Sequence, residues 1–461
     1  MSDKLRIKIH DYDNTAILRE LIDEFLSPED YVLLPDDGFV KDRALHINLQ
    51  GSQDKDEIKR EIFDRLGEIT GRYPDWGILT GVRPVKLAGE RMEQGYSQQQ
   101  VIDEMTGSYR LTEGKARLIT DTYIRQRRVF GRAPANSAGI YIGIPFCPTR
   151  CVYCSFASNQ VPEEEIERYL PALYREIEYT GQRMKQYGLA AESLYFGGGT
   201  PTTLNAEQLR ELLQRAWDAF GGTSLKEFTV EAGRPDTIDG EKLDVLKDAG
   251  VTRISINPQS MHQKTLDAIG RNHTPDDIRR AFREASERKF KVINADLIAG
   301  LPGETPEEFR QSLQSVLDMG ANNVTVHTLA VKRASRLRDI DRDYHYKAAD
   351  RVAAMLQSSR TILGSAGFVP YYLYRQKHMA GYFENTGWCR DNEDGTVTDG
   401  LYNVRIMDEH QTIIALGAGG ISKRYYPENN LLIRCPNVTN YQEYIRRIDE
   451  MLERKENKLW R

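Results

Sequence analysis

No apolar run in the chain approaches the roughly 18 residues that a bilayer span requires. The first residues, MSDKLRIKIHDYDN, hold no apolar core of a signal peptide. Neither secretion nor a membrane span is expected, and a cytoplasmic location is. Charge of one sign is also missing. Lys and Arg total 63 against 68 Asp and Glu, a net charge of -5. No bulk basic field argues for a nucleic-acid partner. Cysteine is scarce, at five residues in 461, which excludes a disulfide framework and leaves metal or redox chemistry. The eight histidines form no H-E-x-x-H or similar pattern, so no His-built zinc or haem site is indicated. Internal repeats and long low-complexity tracts are absent as well.

What remains, 40% apolar and 28% charged residues, is the composition of a soluble globular chain. Its length calls for more than one core. Residues 4–10, 31–35 and 44–49 read as short strands, with helical patterns at 15–26 and 54–69. The stretch 84–129 is mostly helical, broken near Gly95 and Gly107, and GRAPANSAG (131–139) reads as a linker.

The rhythm then changes. Strand-like runs at 139–144, 192–196, 226–231, 251–256, 291–297 and 323–329 alternate with amphipathic helical stretches at 163–186, 205–219, 239–249, 275–288 and 305–319. Strand then helix, six times, implies parallel pairing with right-handed crossovers. The expected fold class is α/β, a partial (β/α)6 barrel between an N-terminal α/β-plus-helical domain (1–132) and a C-terminal α+β extension (336–461), the barrel core covering 139–335. In the extension we expect a helix at 343–366, a strand pair near 400–416 and a closing helix at 440–456.

The stretch IPFCPTRCVYCSFAS (144–158) follows the first barrel strand and places Cys147, Cys151 and Cys154 within it. Active sites of (β/α) architectures lie at the C-terminal strand ends. Three thiolates can hold three corners of a cubane iron–sulfur cluster, leaving one iron open, since a fully protein-held cluster needs four. Zinc is the alternative, although no His lies in the loop. Cys389 and Cys435, distant in sequence, read as ordinary free thiols.

C-x-x-x-C-x-x-C at a first βα loop resembles the signature of the radical S-adenosylmethionine (SAM) superfamily. YIGIPFCPTRCVYCSF, YFGGGTPTTL (195–204), RISINPQS (253–260), IGRNHT (269–274), DLIAGLPGET (296–305) and LGAGGIS (416–422) follow in order. Together they resemble the oxygen-independent coproporphyrinogen III oxidase (HemN-like) family. WGILTGVRPVKL (76–87) and LYNVRIMDEHQTIIALGAG (401–419) resemble its HemZ branch. The resemblance implies a [4Fe-4S] cluster on Cys147, Cys151 and Cys154, with SAM on the open iron and a 5′-deoxyadenosyl radical as oxidant. It implies two SAM molecules. Tyr141, Gly198, Glu231, Ala330 and Ile421 match contacts to the cluster-bound one, and Tyr153, Gly199, Thr200, Gln259, Arg271 and Asp296 match contacts to the second. Taken singly, such polar residues are more often caps or surface groups.

Two positions depart from the family's oxidases. Phe156 stands where they carry a fourth cysteine, and Gly143 where they carry a histidine. The haem-chaperone branch also lacks that cysteine. The implied reaction is oxidative decarboxylation of coproporphyrinogen III to protoporphyrinogen IX. A haem chaperone, or an enzyme acting on another tetrapyrrole, is the alternative. Implied partners are the tetrapyrrole and an electron donor such as flavodoxin or ferredoxin. Lys332 and Arg333, in AVKRASRLR (330–338), are candidates for the substrate's propionates, and a solvated basic helix start is the plainer reading.

Overall fold

The computed structural model describes residues 4–10, 15–34, 44–48, 54–81, 83–155, 158–332, 335–341, 344–392 and 395–460. Strands β1 (Leu5–His10), β2 (Tyr31–Leu34) and β3 (Ala44–Asn48) form a parallel sheet in the order β2-β1-β3. Helices Pro84–Glu93, Gln98–Gly107 and Glu113–Phe130 follow, with breaks near Gly95 and Gly107 as expected.

The six alternating strands are β4 (Ser137–Ile144), β5 (Ala190–Gly198), β6 (Glu227–Glu231), β7 (Arg253–Ser255), β8 (Val292–Ala299) and β9 (Asn323–Thr328). Each pairs in parallel with the next. Their near-continuous burial is what a parallel sheet covered by helices requires. Ile140, Leu194, Val230, Ile254, Leu297 and Val326 all belong to one large core. The crossover helices start where side chains cap them. Asn205 with Gln208, Thr274 with Asp277 and Thr305 with Glu308 each form a reciprocal capping box.

The extension adds to both edges of this sheet. Beyond β9 come β11 (Glu384–Arg390) and β10 (Phe368–Arg375), both antiparallel. Beyond β4 lie β12 (Thr412–Leu416), parallel to it, then β13 (Ile421–Tyr426) and β14 (Leu431–Pro436). The sheet order is therefore β10-β11-β9-β8-β7-β6-β5-β4-β12-β13-β14.

This corrects the strand pair expected near 400–416. Leu401–Asp408 is a helix and only β12 is a strand. The Glu227 carboxylate accepts from the backbone N–H of Leu401 at 2.6 Å and of Tyr402 at 3.2 Å, satisfying the helix start with a negative charge. The closing helix is likewise two, Tyr441–Arg446 and Ile448–Lys455, divided at Arg447. Among the described residues no helix is long and apolar enough to cross a membrane.

Candidate active site

A cavity of about 380 Å³ is lined by the loop after β4 and by residues of β5–β9 and the loops that follow them. The cysteine loop forms one wall. Its backbone is tied down at several points. Cys147 N–H donates to Asn159 O (3.1 Å), Val152 N–H to Ile269 O (3.0 Å), and Leu337 N–H to Val152 O (2.9 Å). Cys147, Cys151 and Cys154 all line the cavity. Burial pushes the Cys147 thiol up to about 11, against the hydrogen bond with Thr200. Its Sγ lies 3.4 Å from Thr200 Oγ1.

The glycines after β5 fit against this loop. Gly198 has φ +111°, and a Cβ on Gly199 would stand 2.3 Å from Phe146 O. Only a residue without Cβ allows both. Gly199 N–H donates to Ile144 O (2.7 Å) and Thr200 N–H to Phe146 O (2.8 Å), so the two loops share backbone hydrogen bonds.

Further round, Tyr195 donates to Glu231 Oε1 at 2.6 Å. Burial and the neighbouring Asp296 raise the Glu231 carboxyl to about 7. Gln259 adopts φ +67°, an uncommon conformation for a side-chain-bearing residue. Its buried Oε1 has no hydrogen-bond partner, nor has Arg271 Nε. Arg271 Nη1 donates to Asn257 O (2.6 Å) and Gly233 O (3.3 Å), which holds the guanidinium beside the loop.

Asp296 accepts from Asn294 Nδ2 (2.7 Å) and faces His327 Nε2 at 3.5 Å. Burial alone would lower the His327 imidazole, but its hydrogen bond to Asp296 raises it above its ordinary value. Burial leaves Lys332 below its own.

Of the residues expected from sequence, the cavity brings together the three cysteines, Tyr153, Gly198, Gly199, Thr200, Glu231, Gln259, Arg271, Asp296, Ala330 and Lys332. Two are not among its lining. Tyr141 is held in a ring stack, 6.1 Å from Tyr195 and 6.2 Å from Tyr402, and reaches the cavity through Tyr195. Ile421, half exposed, opens β13 opposite Pro436 on the sheet's outer part. Arg333 and Phe156 lie outside the described residues. A Cβ at Gly143 would come 3.3 Å from the Tyr141 ring and 3.4 Å from Leu416 O.

Sequence reasoning missed Arg234, Asn257, Asn294, His327 and Asn385, all cavity-lining. A strand-end position was the available signal for His327 and Asn257. It also missed the buried clamp on the glycine loop after β12. Glu176 accepts from Gly417 N–H (2.7 Å) and Tyr444 Oη (2.6 Å), and pairs with Lys455 at 3.0 Å.

The residues present fit an iron–sulfur cluster and SAM. The orphaned Gln259 and Arg271 atoms await polar partners, and Gly198 and Gly199 let the turn after β5 pack against the cysteine loop. Among the described residues no three His, Cys, Asp or Glu side chains are grouped to hold a single metal ion.

Comparison with known proteins agrees. Residues 141–316 match the radical SAM superfamily model. The chain is 36% identical over 411 residues to the oxygen-independent coproporphyrinogen-III oxidase-like protein HemZ of Bacillus subtilis, covering 87% of this chain and 80% of that one. It is 38% identical over 193 residues to the heme chaperone HemW of the same organism, covering 42% and 50%. It is 28% identical over 303 residues to the oxygen-independent coproporphyrinogen III oxidase of Pseudomonas aeruginosa, covering 63% of each. The solved structure of coproporphyrinogen III oxidase (HemN) from Escherichia coli shares the fold, with a TM-score of 0.52 at 23% identity over 72% of this chain and 73% of that one. The chain belongs to the HemN-like family of radical SAM oxidoreductases, which use a [4Fe-4S] cluster and SAM.

Proposed function

We propose that this protein carries out the oxygen-independent oxidative decarboxylation of coproporphyrinogen III to protoporphyrinogen IX in the cytoplasm. The observation that carries the reading is the convergence of three loop thiols, a Gly-rich turn and a cation-bearing cavity at one end of the parallel sheet. Cys147, Cys151 and Cys154 would hold the cluster. When bound, the cluster and SAM supply the acceptor for a hydrogen atom from a propionate β-carbon. The substrate radical would then lose carbon dioxide and pass one electron to an external one-electron acceptor, leaving a vinyl group, at two of its four propionates.

The chain's own residues bind, orient and exclude water. Gly198, Glu231 and Ala330, backed by Tyr141 through Tyr195, would receive the cluster-bound SAM. Tyr153, Gly199, Thr200, Gln259, Arg271 and Asp296 would receive a second. Lys332 would offer positive charge to the substrate's carboxylates. Tyr372 and Tyr374, stacked at 6.2 Å, give an aromatic wall suited to a flat macrocycle. Electrons would come from a flavodoxin or ferredoxin.

A haem-chaperone role is the second reading, favoured by the resemblance to HemW. Anaerobic incubation with reductant, SAM and coproporphyrinogen III separates them. The oxidase forms protoporphyrinogen and 5′-deoxyadenosine. Stable haem binding without decarboxylation would reject the oxidase.

A further inference from the structure

Strands β10 and β11 have two working faces. Along a strand, alternate side chains point to opposite sides. Tyr372, Tyr374 and Asn385 line the cavity. Their alternates, Leu373, Arg375 and Glu384, face the N-terminal unit. Leu373 belongs to the core that contains Trp76, Val85 and Ile119. Arg375 pairs with Glu24 at 3.0 Å, hydrogen-bonds Leu79 O and lies 5.0 Å over the Trp76 ring.

Glu384 is the hub. Only 2% exposed, it accepts from Lys115 Nζ at 2.6 Å, Trp76 Nε1 at 3.0 Å and Arg360 Nη2 at 2.7 Å. Its own backbone O accepts from Thr328 Oγ1 (2.7 Å), and the Asn385 side chain accepts from Thr328 N–H (2.9 Å). Thr328 and Asn385 both line the cavity. Gln126 of the same N-terminal unit donates to Tyr371 O at 2.9 Å.

We infer that the N-terminal unit is the mount of the substrate-facing wall: Trp76 and Lys115 are positioning residues that, through Glu384, fix where Tyr372, Tyr374 and Asn385 meet the tetrapyrrole. This rests on the reading above that the cavity takes that substrate. It gives the WGILTGVRPVKL segment a task, since Trp76 donates to Glu384, Leu79 O accepts from Arg375 and Val85 packs in one core with Leu373. A half-satisfied buried carboxylate is unstable, so losing either donor loosens the far face of the same strand.

Trp76→Phe, which removes one donor and keeps a ring, and Lys115→Met test this in the full chain. Two readouts are needed. Without any substrate, hydrogen–deuterium exchange should quicken over residues 368–390 and stay unchanged over 190–231. With the reconstituted enzyme, KM for coproporphyrinogen III should rise about tenfold or more. SAM cleavage in the absence of substrate, and the cluster's absorption spectrum, should hold at the wild-type level. Unchanged exchange, exchange raised equally everywhere, or an unchanged KM overturns the inference. If Lys115→Met does not fold, Trp76→Phe decides alone. A wild-type protein that does not turn over coproporphyrinogen rejects the proposed reaction, while the exchange measurement still decides the role of the N-terminal unit.

Discussion

Replacing Gly199 by Ala should strip the protein of its cluster. The new Cβ would lie 2.3 Å from Phe146 O, 2.8 Å from its carbonyl carbon and 2.9 Å from its nitrogen. Carbon–oxygen contacts normally begin near about 3.3 Å, so the overlap is about 1 Å. Nothing flexible can absorb it, because the obstacle is backbone. Relief comes only by shifting Phe146, the residue before Cys147, or by breaking the Thr200 N–H to Phe146 O hydrogen bond. Overpacking of this kind costs about 1–3 kcal/mol and the lost bond about 0.5–1.5 kcal/mol, together up to about 4.5 kcal/mol placed on the cysteine loop. The assay is iron and sulfide per chain after anaerobic reconstitution, with Gly114→Ala as the control. Gly114 sits in the helix Glu113–Phe130, and a Cβ there would meet no atom within 4 Å, so that change should be neutral or stabilising by about 0.5–1 kcal/mol. Gly199→Ala protein that holds wild-type iron and binds SAM normally would refute the reasoning.

Three further outcomes are expected. Burial carries the Glu304 carboxyl to about 7, against its hydrogen bond from Ser260. The folded chain thus holds that proton more tightly than the unfolded chain, whose value is 4.5, and the associated stability is lost as pH rises through about 7. Glu304→Gln should therefore gain about 1–3 kcal/mol on wild type between pH 5 and pH 8; thermal melts showing a constant difference would contradict this. Lys455→Met leaves Glu176 buried without its cation and should cost about 3–5 kcal/mol in denaturant titrations, with the Gly417 loop the first segment to lose exchange protection. Lys332→Ala should raise the apparent KM for coproporphyrinogen III with little change in substrate-free SAM cleavage, and an unaltered KM would remove Lys332 from the substrate site.

The parallel core was legible because six buried strands and their amphipathic partners repeat with distinct periods, and because capping residues such as Thr274 and Thr305 mark helix starts. The three loop cysteines stood out by their spacing, and their reading as cluster ligands came with the family resemblance. What local pattern could not reveal came from distant partners. Residues 401–408 alternate well enough for a strand, yet Glu227, far back in the chain, caps them as a helix. β12 joins β4 in parallel only because the chain returns to that edge. His327 reads as one more strand residue until the Asp296 side chain of β8 comes to 3.5 Å from its ring. The union of Trp76 with Glu384 links residues 308 positions apart, beyond the reach of any window. Tyr141, read from the family motif as a SAM contact, stacks on Tyr195 and Tyr402, a pairing of rings from three separate elements.

Paramagnetic resonance of the anaerobically reconstituted, reduced protein, recorded with and without SAM, addresses the open-cornered cluster most directly. An iron–sulfur signal that changes when SAM is added, and that Cys151→Ser abolishes, is the predicted result. Zinc taken up at Cys147, Cys151 and Cys154, or a signal indifferent to SAM, would contradict the account.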